Sequence, residues 1–413
     1  MNILVLNDHA HVNGGAGAVA LASARGLAEA GFAVTLFTAV GPVEEGLAGV
    51  PGLEVICLGQ QEIARDPSRV RAFTQGLYNR TACARLAELL DRHDPRDTIV
   101  HVHGWTKALS PFAIDTAIRR GFKVVLTLHD FFIGCPTGGL FLPKTAELCH
   151  REPLSWDCLR CSCDRRHYAH KLWRSARTFL QNRVLRVPEG IAHFIGVSEF
   201  TVSIMRPWLP AGAPVTVVRN PVDCPPGPPV DVVSNRPVVF VGRFAPEKGV
   251  LLAAEAVRRL NIPAVFVGDG EQGAEARALC PHATFTGWLP QAEVRDWIRR
   301  ARALLLPSIW YEPLGLVVVE AAGNGVPSVV SDQSAAAQFI REGSGGLEFR
   351  HGSVDALCAA LARLSDDPLV TRLGRNAHDW FWLEPWDLSH HVKALGAIYA
   401  GVLAGESAHG VAS

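Results

Sequence analysis

Two glutamates, Glu312 and Glu320, stand eight positions apart in the part of the chain that offers the most chemistry. They belong to segment 307–325, PSIWYEPLGLVVVEAAGNG, which follows Ala303–Leu306, an apolar run typical of a buried strand. The pattern then predicts a helix that begins near Leu314. Because the free N–H groups at a helix start attract anions, the segment predicts an anion site beside Glu312.

Carboxylates at such a place suit the hydroxyl groups of a ligand better than its phosphates. An ionised glutamate accepts two or more strong hydrogen bonds, and sugar hydroxyls are donors. The alternative is that Glu312 caps the helix and that Glu320 is a solvated residue on its surface. The spacing alone leaves both interpretations open.

Two cations form a second candidate phosphate site upstream. Segment 238–250, VVFVGRFAPEKGV, predicts an apolar strand followed by a glycine and then by Arg243 and Lys248. A glycine and cations at the carboxyl end of a strand are typical of phosphate binding in α/β domains.

Together, the two segments resemble the C-terminal half of family-4 retaining glycosyltransferases. That family has the pattern G-R-x-x-x-x-K-G followed by E-x7-E, which this chain spells at Gly242–Gly249 and at Glu312–Glu320. The resemblance implies an α/β protein of the GT-B fold, in which two doubly wound Rossmann-like domains face each other across a cleft.

The chain is long enough, at 413 residues, for two domains with large cores. Asn220–Val232 is rich in proline, has no helix or strand period, and predicts the interdomain linker. The resemblance implies that residues 1–221 form an acceptor-side domain with a cysteine-rich insertion at about 131–170. It further implies that residues 222–385 form the nucleotide-sugar-binding domain and that residues 386–413 form a C-terminal helix that crosses back to the first domain.

The strands of both domains are predicted from short apolar runs, each followed by a loop or a helical pattern. In chain order they are Asn2–Leu6, Ala33–Thr38, Thr98–Val102, Lys123–Leu128, Ala192–Val197, Val238–Val241, Ala264–Val267, Thr284–Phe285, Ala303–Leu306 and Ser328–Val330. A helix is predicted over Ala18–Ala30, after the first strand.

The resemblance also implies roles for individual side chains. Arg243 and Lys248 would neutralise the diphosphate leaving group, which stabilises the charge that develops as the sugar departs. Glu312 would orient the hydroxyls of the sugar, and Glu320 would bind the ribose. No protein nucleophile is expected, because the family uses front-face attack by the acceptor hydroxyl and the phosphate itself takes the proton.

Two histidines, His103 and His129, follow neighbouring predicted strands. Histidines at strand ends commonly serve only to close a loop through hydrogen bonds, and for His103 this alternative is open. His129 matches the family position that reaches the transferred sugar, so the resemblance implies a catalytic role for it, together with Glu312, Arg243 and Lys248.

Backbone groups are expected to contact the donor as well. The resemblance places the amides of Leu314, Gly315 and Leu316 on the diphosphate, and the loop that contains Leu289 on the nucleobase. In the first domain, Gly15 and Gly17 would let a glycine-rich loop approach the donor and the acceptor.

That loop is not a dinucleotide-binding fingerprint, because segment 37–39 at the end of the second strand offers no acid to hold a ribose. The family usually has an acid where Gly17 stands, which leaves the detailed role of the loop open.

Five of the ten cysteines fall between Cys135 and Cys163. In a chain expected to be cytoplasmic, this density favours a metal over disulfides, and four thiolates would hold a structural zinc ion tetrahedrally. The expected ligands are Cys135, Cys149, Cys158 and Cys163, with Cys161 as the alternative fourth. Similarity to a family branch with the motifs HDFF-x2-CP and CD-x-R-x-Y-x-x-K-x-W favours Cys163. The alternative is a group of reduced thiols in an irregular insertion.

Composition limits the partners. Lys plus Arg and Asp plus Glu are equal at 40 each, so no overall field favours nucleic acid. No signal peptide is visible and no apolar run reaches the roughly 18 residues of a membrane span, so a cytoplasmic location is expected.

A run of cations without an acid between them predicts either a solvated helix face or a surface that rests peripherally on the inner, anionic face of the membrane. These cations are Arg165, Arg166, Lys171, Arg174, Arg177, Arg183 and Arg186.

The function implied is a retaining, metal-independent glycosyltransferase that needs no cofactor for catalysis. A UDP- or GDP-sugar would be the donor, and a saccharide, a lipid-linked molecule or a small molecule the acceptor, in the synthesis of bacterial envelope polysaccharides or glycoconjugates. The alternatives are a GT-B nucleotide-sugar epimerase or phosphorylase, or a non-catalytic nucleotide-sugar-binding protein.

Overall fold

The computed structural model describes residues 1–405 and contains two α/β domains. The strands of the first are β1 (Asn2–His9), β2 (Ala33–Val40), β3 (Leu53–Cys57), β4 (Thr98–Val102), β5 (Lys123–Leu128), β6 (Phe141–Leu142), β7 (Glu147–Leu148), β8 (Ile191–Gly196) and β9 (Val215–Val217). Seven of them form a parallel sheet in the order β3-β2-β1-β4-β5-β8-β9, and β6 and β7 form a separate antiparallel hairpin. The strand order reverses between β1 and β4, where ligands of doubly wound sheets bind.

Helices cover both faces of this sheet, so its central strands are mostly apolar. They are α1 (Gly15–Glu29), α2 (Arg69–Leu77), α3 (Arg80–Leu90), α4 (Pro111–Arg119), α5 (Trp156–Arg160), α6 (Tyr168–Phe179), α7 (Val187–Gly190) and α8 (Glu199–Met205). A π-helical turn, Leu180–Val184, continues α6.

The second domain repeats this architecture on six parallel strands in the order β12-β11-β10-β13-β14-β15. Its strands are β10 (Val238–Val241), β11 (Ala264–Val267), β12 (Thr284–Gly287), β13 (Ala303–Leu306), β14 (Ser328–Ser331) and β15 (Gly346–Phe349). Its helices are α9 (Val250–Leu260), α10 (Gly273–Leu279), α11 (Gln291–Arg299), α12 (Leu316–Gly323), α13 (Ala335–Gly343), α14 (Val354–Ala362) and α15 (Asp367–Leu383). The expectation of two doubly wound domains is confirmed.

The chain between β9 and β10 contains neither helix nor strand. After α15, helix α16 (Leu388–Ala404) packs against the first domain, where Val392, Leu395 and Tyr399 join the core beneath α1. The two domains are therefore tied together twice, by the linker and by the last helix. Residues 406–413 of the predicted C-terminal segment lie outside the described residues.

The sequence-based strand predictions were accurate where a strand is buried on both faces. The bounds of β4, β5, β10, β11 and β13 are those predicted. Strands β3, β9 and β15 were missed because they are short, lie at the edges of their sheets, and consist mostly of half-buried residues. The first helix begins at Gly15 and not at Ala18.

Candidate functional site

Glu312 is the most tightly held carboxylate of the second domain. It follows β13, is only 7% exposed, and accepts hydrogen bonds from Lys248 Nζ at 2.7 and 2.9 Å. Ser308 Oγ and Trp310 Nε1 donate to the same carboxylate at 2.8 and 2.9 Å. Burial raises the pKa of Glu312, but Lys248 and these hydrogen bonds outweigh it, so the pKa is lowered overall. Glu312 is therefore ionised at neutral pH.

Lys248 and Glu312 were predicted as neighbours of different parts of a ligand, and the structure pairs them directly. The Lys248 ammonium also lies 5.1 Å from the centre of the Trp310 ring. The Lys248 side chain keeps about a quarter of its surface exposed, at 23%. One face of this cation is thus fixed by the protein and the other is open to a ligand.

Arg243 has a carboxylate partner that the sequence analysis did not identify. Its Nη2 donates to Glu247 Oε1 at 2.6 Å, and the Arg243 side chain is 61% exposed, whereas that of Glu247 is only 4% exposed. Glu247 stands next to Lys248 in the sequence, but this position does not show that its side chain pairs with Arg243.

The start of α12 provides backbone donors at the carboxyl end of β13. The helix begins at Leu316, two residues later than predicted, after Gly315 in a left-handed conformation with φ 78°. A Cβ at Gly315 would lie 2.9 Å from Leu306 Cδ2, so only glycine fits without movement. Leu314 is buried before it.

Glu320 lies further along α12 without a salt-bridge partner in the described chain. Gln291 Nε2 donates to both of its oxygens at 3.1 Å, and burial raises the pKa of Glu320 to about 7. Gln291 opens α11, directly after the loop that contains Leu289, which is partly buried against the core of the second domain. Glu320 and Leu289 therefore border the same end of the second sheet, and Gln291 is a site residue that the sequence analysis missed.

The histidines of the first domain form a buried network. His129 Nε2 and His103 Nδ1 are 2.9 Å apart, and His101 bonds Thr127 Oγ1 and the Tyr399 hydroxyl, each at 2.7 Å. Burial lowers the pKa of His129 to about 3 and holds those of His101 and His103 well below the ordinary value. All three imidazoles are thus neutral at neutral pH. The structure therefore pairs His103 with His129.

The two halves of the site face each other. Phe131, two residues after His129, makes edge-to-face contacts with Trp310 and Tyr311 at centroid distances of 6.5 and 6.4 Å. A Cβ added at Gly15 would lie 3.6 Å from Leu316 Cδ1, so the start of α1 lies against the start of α12.

Gly17 lies within α1, where a Cβ would be 3.8 Å from the His11 carbonyl oxygen. Gly15 therefore lies beside the helix start that was predicted to bind phosphate, whereas Gly17 lies against the loop before α1, which is shorter than predicted.

All ten cysteines are free thiols, and five of them line one cavity of about 10 Å³. These five are Cys135, Cys149, Cys158, Cys161 and Cys163. Lys171, which is fully buried, places Nζ 3.1 Å from Cys158 Sγ. Within residues 1–405, no group of three or more His, Cys, Asp or Glu side chains is arranged to hold a metal ion. The five thiols therefore gather around one small cavity.

The expectation that the basic stretch forms one surface is wrong for several of its members. Lys171 and Arg177 are buried, and Arg177 Nη1 donates to the Thr106 carbonyl at 2.7 Å. Arg174 pairs with Asp164 at 3.2 Å, and Arg165 reaches across to the second domain. Four arginines of the stretch are exposed, namely Arg165, Arg166, Arg183 and Arg186, and of these Arg165 is the one that pairs with the second domain. In the portion described, none of the helices combines the length and apolarity that crossing a bilayer requires.

Fold and site together define a two-domain protein with cations and backbone amides converging at the cleft. The sequence model of the family described as Glycosyltransferase Family 4 matches residues 13–224, about half of the chain, and that described as Glycosyl transferases group 1 matches residues 235–367. The chain belongs to glycosyltransferase family 4.

Curated relatives support this assignment. The chain is 29% identical over 214 residues to the glycogen synthase of Mycobacterium tuberculosis, which covers 48% of this chain and 51% of the relative. It is 31% identical over 189 residues to the lipopolysaccharide core biosynthesis glycosyltransferase LpsE of Rhizobium meliloti, covering 43% and 52%. The chain spans about half the length of the curated relatives it matches.

Solved structures support the fold over the full length. Sucrose-phosphate synthase of Thermosynechococcus elongatus superposes with a TM-score of 0.70 at 19% identity. The superposition covers 98% of this chain and 100% of the synthase chain. Anabaena HepE in complex with UDP and glucose gives a TM-score of 0.65 at 16% identity, covering 96% and 99%. The predicted GT-B fold is confirmed.

Proposed function

We propose that the protein is a retaining glycosyltransferase that moves a sugar from a nucleotide-sugar to a hydroxyl group of an acceptor. The observation that carries this proposal is the Lys248–Glu312 pair beside the start of α12, with Arg243 nearby and the first domain opposite. The site combines cations and free amides for a diphosphate with an ionised carboxylate for hydroxyls.

In the proposed mechanism the bond between the sugar and the diphosphate breaks while the acceptor oxygen bonds to the same sugar carbon from the same face. Arg243, Lys248 and the amides of α12 take up the charge that develops on the leaving diphosphate. A phosphate oxygen receives the proton of the acceptor hydroxyl. The chain supplies the charge stabilisation itself, so the proposed chemistry uses no metal ion.

The remaining side chains position the donor. Glu312 is ionised and accepts from a sugar hydroxyl next to Lys248, while Glu320, held by Gln291, accepts from the ribose. His129 contacts the sugar from the first domain. Because its burial keeps the imidazole neutral, it acts as a hydrogen-bond partner and not as a general acid.

A UDP-sugar is the donor that the structural neighbours favour, since Anabaena HepE has been solved with UDP and with UDP-glucose. GDP-sugars remain the alternative donor class. LpsE supports an acceptor in envelope polysaccharide synthesis, and a saccharide, a lipid-linked molecule or a small molecule would fit the same chemistry. Peripheral contact with an anionic membrane from the cytoplasm is part of this proposal, through the exposed Arg166, Arg183 and Arg186.

Thermal-shift screening with UDP- and GDP-sugars tests the donor class. A ligand at about 100 times its dissociation constant adds roughly 2.7 kcal/mol to the unfolding free energy. The donor so identified is then incubated with candidate acceptors, and the anomeric configuration of the product is read by NMR. Stabilisation by no sugar nucleotide would overturn the proposal, and an inverted product would overturn the retaining mechanism.

The same experiments separate the alternative functions. An epimerase would convert the sugar nucleotide without an acceptor, and a phosphorylase of the pyridoxal type would absorb above the protein band. A non-catalytic binding protein would be stabilised by the donor but would show no turnover with any acceptor.

We further propose a structural zinc ion among the thiols of the insertion. What supports it is the convergence of Cys135, Cys149, Cys158 and Cys163, or Cys161, on one small cavity. Since they are not yet arranged as ligands, zinc binding would draw the thiols closer together. A buried Lys171 would balance the negative charge of such a site.

A further inference from the structure

The cysteine-rich insertion of the first domain reaches the donor site of the second. Arg165 donates through Nη2 to Glu247 Oε2 and through Nη1 to Glu271 Oε1 at 3.3 Å. Glu247 lies in the loop after β10, and Glu271 precedes α10, so one arginine joins two loops of the opposite domain. None of the sequence motifs accounts for this contact.

The carboxylate of Glu247 is shared between two guanidinium groups. Its Oε1 accepts from Arg243 at 2.6 Å, and its Oε2 accepts from Arg165. Burial raises the pKa of Glu247, but the two arginines outweigh it and the pKa is lowered overall. Glu247 is therefore ionised, and each of its oxygens has a partner.

Because Glu247 is shared with Arg165, fewer of the N–H groups of Arg243 are held by Glu247 and more remain free for a ligand. Arginine and carboxylate groups prefer to pair through two parallel hydrogen bonds. Because Arg165 occupies Oε2, Glu247 holds Arg243 through one oxygen and one nitrogen only. The other N–H groups of Arg243, whose side chain is 61% exposed, are then directed to solvent, where a diphosphate would bind. Without Arg165, Glu247 could take Arg243 with both oxygens.

Arg165 is placed by the fold of the insertion. It follows Cys163 and Asp164, and Asp164 accepts a hydrogen bond from the Arg166 amide at 2.9 Å and forms a salt bridge with Arg174 at 3.2 Å. The adjacent thiol of Cys163 lines the cavity beside Lys171. The ordered insertion therefore fixes the backbone on both sides of Arg165.

We propose that Arg165 is a positioning residue of the donor site, which acts through Glu247 to leave Arg243 free for the diphosphate. This inference rests on the proposed function, since it takes the diphosphate as the ligand of Arg243. It assigns the cysteine-rich insertion a role in donor binding. Arg165 itself need not touch the donor.

The test is calorimetric binding of UDP and of GDP to the full chain and to variants. Arg165→Gln should weaken binding of the preferred nucleotide roughly tenfold, because a charge-assisted contact of the site is misdirected. Arg165→Lys should retain part of the affinity, since it keeps the charge but not the planar fork. The exposed neighbour provides the matched control, and Arg166→Gln should leave the affinity unchanged.

A second variant distinguishes positioning from a structural role. In the Arg165→Gln background, Glu247→Gln removes the carboxylate that captures Arg243, so the double variant should bind more tightly than Arg165→Gln alone. If Arg165→Gln weakened binding only because it disturbed the fold, the double variant would bind no more tightly than Arg165→Gln alone. Melting temperatures check that each variant is folded.

The binding results distinguish failure of this inference from failure of the proposed function. If the native chain binds UDP or GDP and Arg165→Gln binds equally well, the inference is overturned and the proposed function stands. If the double variant shows no recovery, Arg165 does not act through Glu247 and the inference also falls. If the native chain binds neither nucleotide, the proposed function fails, and the inference falls with it.

Discussion

Lys248 and Arg243 have the same predicted role but different structural surroundings. Lys248 neutralises a buried carboxylate, Glu312, whereas Arg243 extends into solvent from a single hydrogen bond to Glu247. Removing either cation should affect the chemistry, but only the removal of Lys248 leaves an unpaired charge in the interior. This difference gives a prediction with two separate readouts.

Arg243→Ala and Lys248→Ala should each lower kcat/KM by about 10²–10³, the effect of losing a preorganised partner of the leaving group. Lys248→Ala should also lower the unfolding free energy by about 1–3 kcal/mol, and Arg243→Ala should change it little. Kinetics and denaturant unfolding of both variants measure this. Equal stability of the two would show that Glu312 is not held by Lys248 in solution.

The buried imidazoles give a pH dependence of stability. Unfolded histidine takes up a proton near its ordinary pKa of about 6.5, but His129 in the folded chain does so only near a pKa of about 3. Between these values the unfolded state binds more protons, so the unfolding free energy falls as the pH falls from about 6.5, by up to roughly 1.4 kcal/mol per pH unit for each such group. Glu320, with its raised pKa of about 7, contributes in the opposite direction.

Measurements of the unfolding free energy at pH 7.5, 6 and 5 give this slope. The variant His129→Asn should reduce the slope by the contribution of one histidine. A slope that His129→Asn does not alter would mean that His129 is protonated in the folded chain.

At this scale the sequence predicted several side chains of the candidate site but not their partners. Glycine, cation and carboxylate types at fixed spacings singled out Arg243, Lys248, Glu312 and Glu320. Gln291 and the pairing of His103 with His129 lay beyond that reasoning, because each contact joins two separate segments and the sequence does not show which segments meet. Glu247 lies in the same segment as Arg243, but the spacing of the two residues did not show that their side chains pair.

At the scale of elements, prediction worked where the chain is buried and regular. Continuous apolar runs marked the central strands because parallel strands covered on both faces contain little else. The loop before α1 and the edge strands follow no such pattern. The start of α12 was misplaced by two residues because proline and glycine there mark a turn without giving its length.

The insertion gives a prediction of its own at this scale. After purification without added metal, elemental analysis should find about one zinc per chain, which is the content of one four-thiolate site. Replacing Cys158 by Ser should abolish the zinc, and replacing Cys83, a thiol outside the cluster, should not. A stable, metal-free chain would show that the thiols are simply reduced and that Lys171 alone orders them.

At the scale of the whole molecule, the domains are joined by contacts that the motifs do not reveal. Ser198 and Thr201, at the start of α8, donate to the Pro313 carbonyl at 2.6 and 2.8 Å. The first domain thus holds the backbone immediately before the start of α12. Domain arrangement and the geometry of the anion site are therefore coupled, which separate readings of the two halves could not predict.

The last helix makes the other connection. Trp386 lies in the core of the second domain, and α16 then continues into the first, where Tyr399 is completely buried. Its hydroxyl bonds His101, which in turn bonds Thr127 on β5, the strand that leads to His129. Helix α16 thereby supports the first-domain side of the candidate site through the histidine network.

Tyr399→Phe removes this hydroxyl and leaves a buried imidazole nitrogen of His101 without its partner, at a cost of about 1–3 kcal/mol. We expect a lower unfolding free energy with unchanged affinity for UDP, since the proposed nucleotide site lies on the second domain. Tyr78→Phe, at an exposed tyrosine, is the matched control and should change neither quantity. Denaturant unfolding and calorimetry on the three proteins measure both. A stability equal to that of the native chain would show that α16 packs without holding His101, and weaker UDP binding would show that its support extends across the cleft.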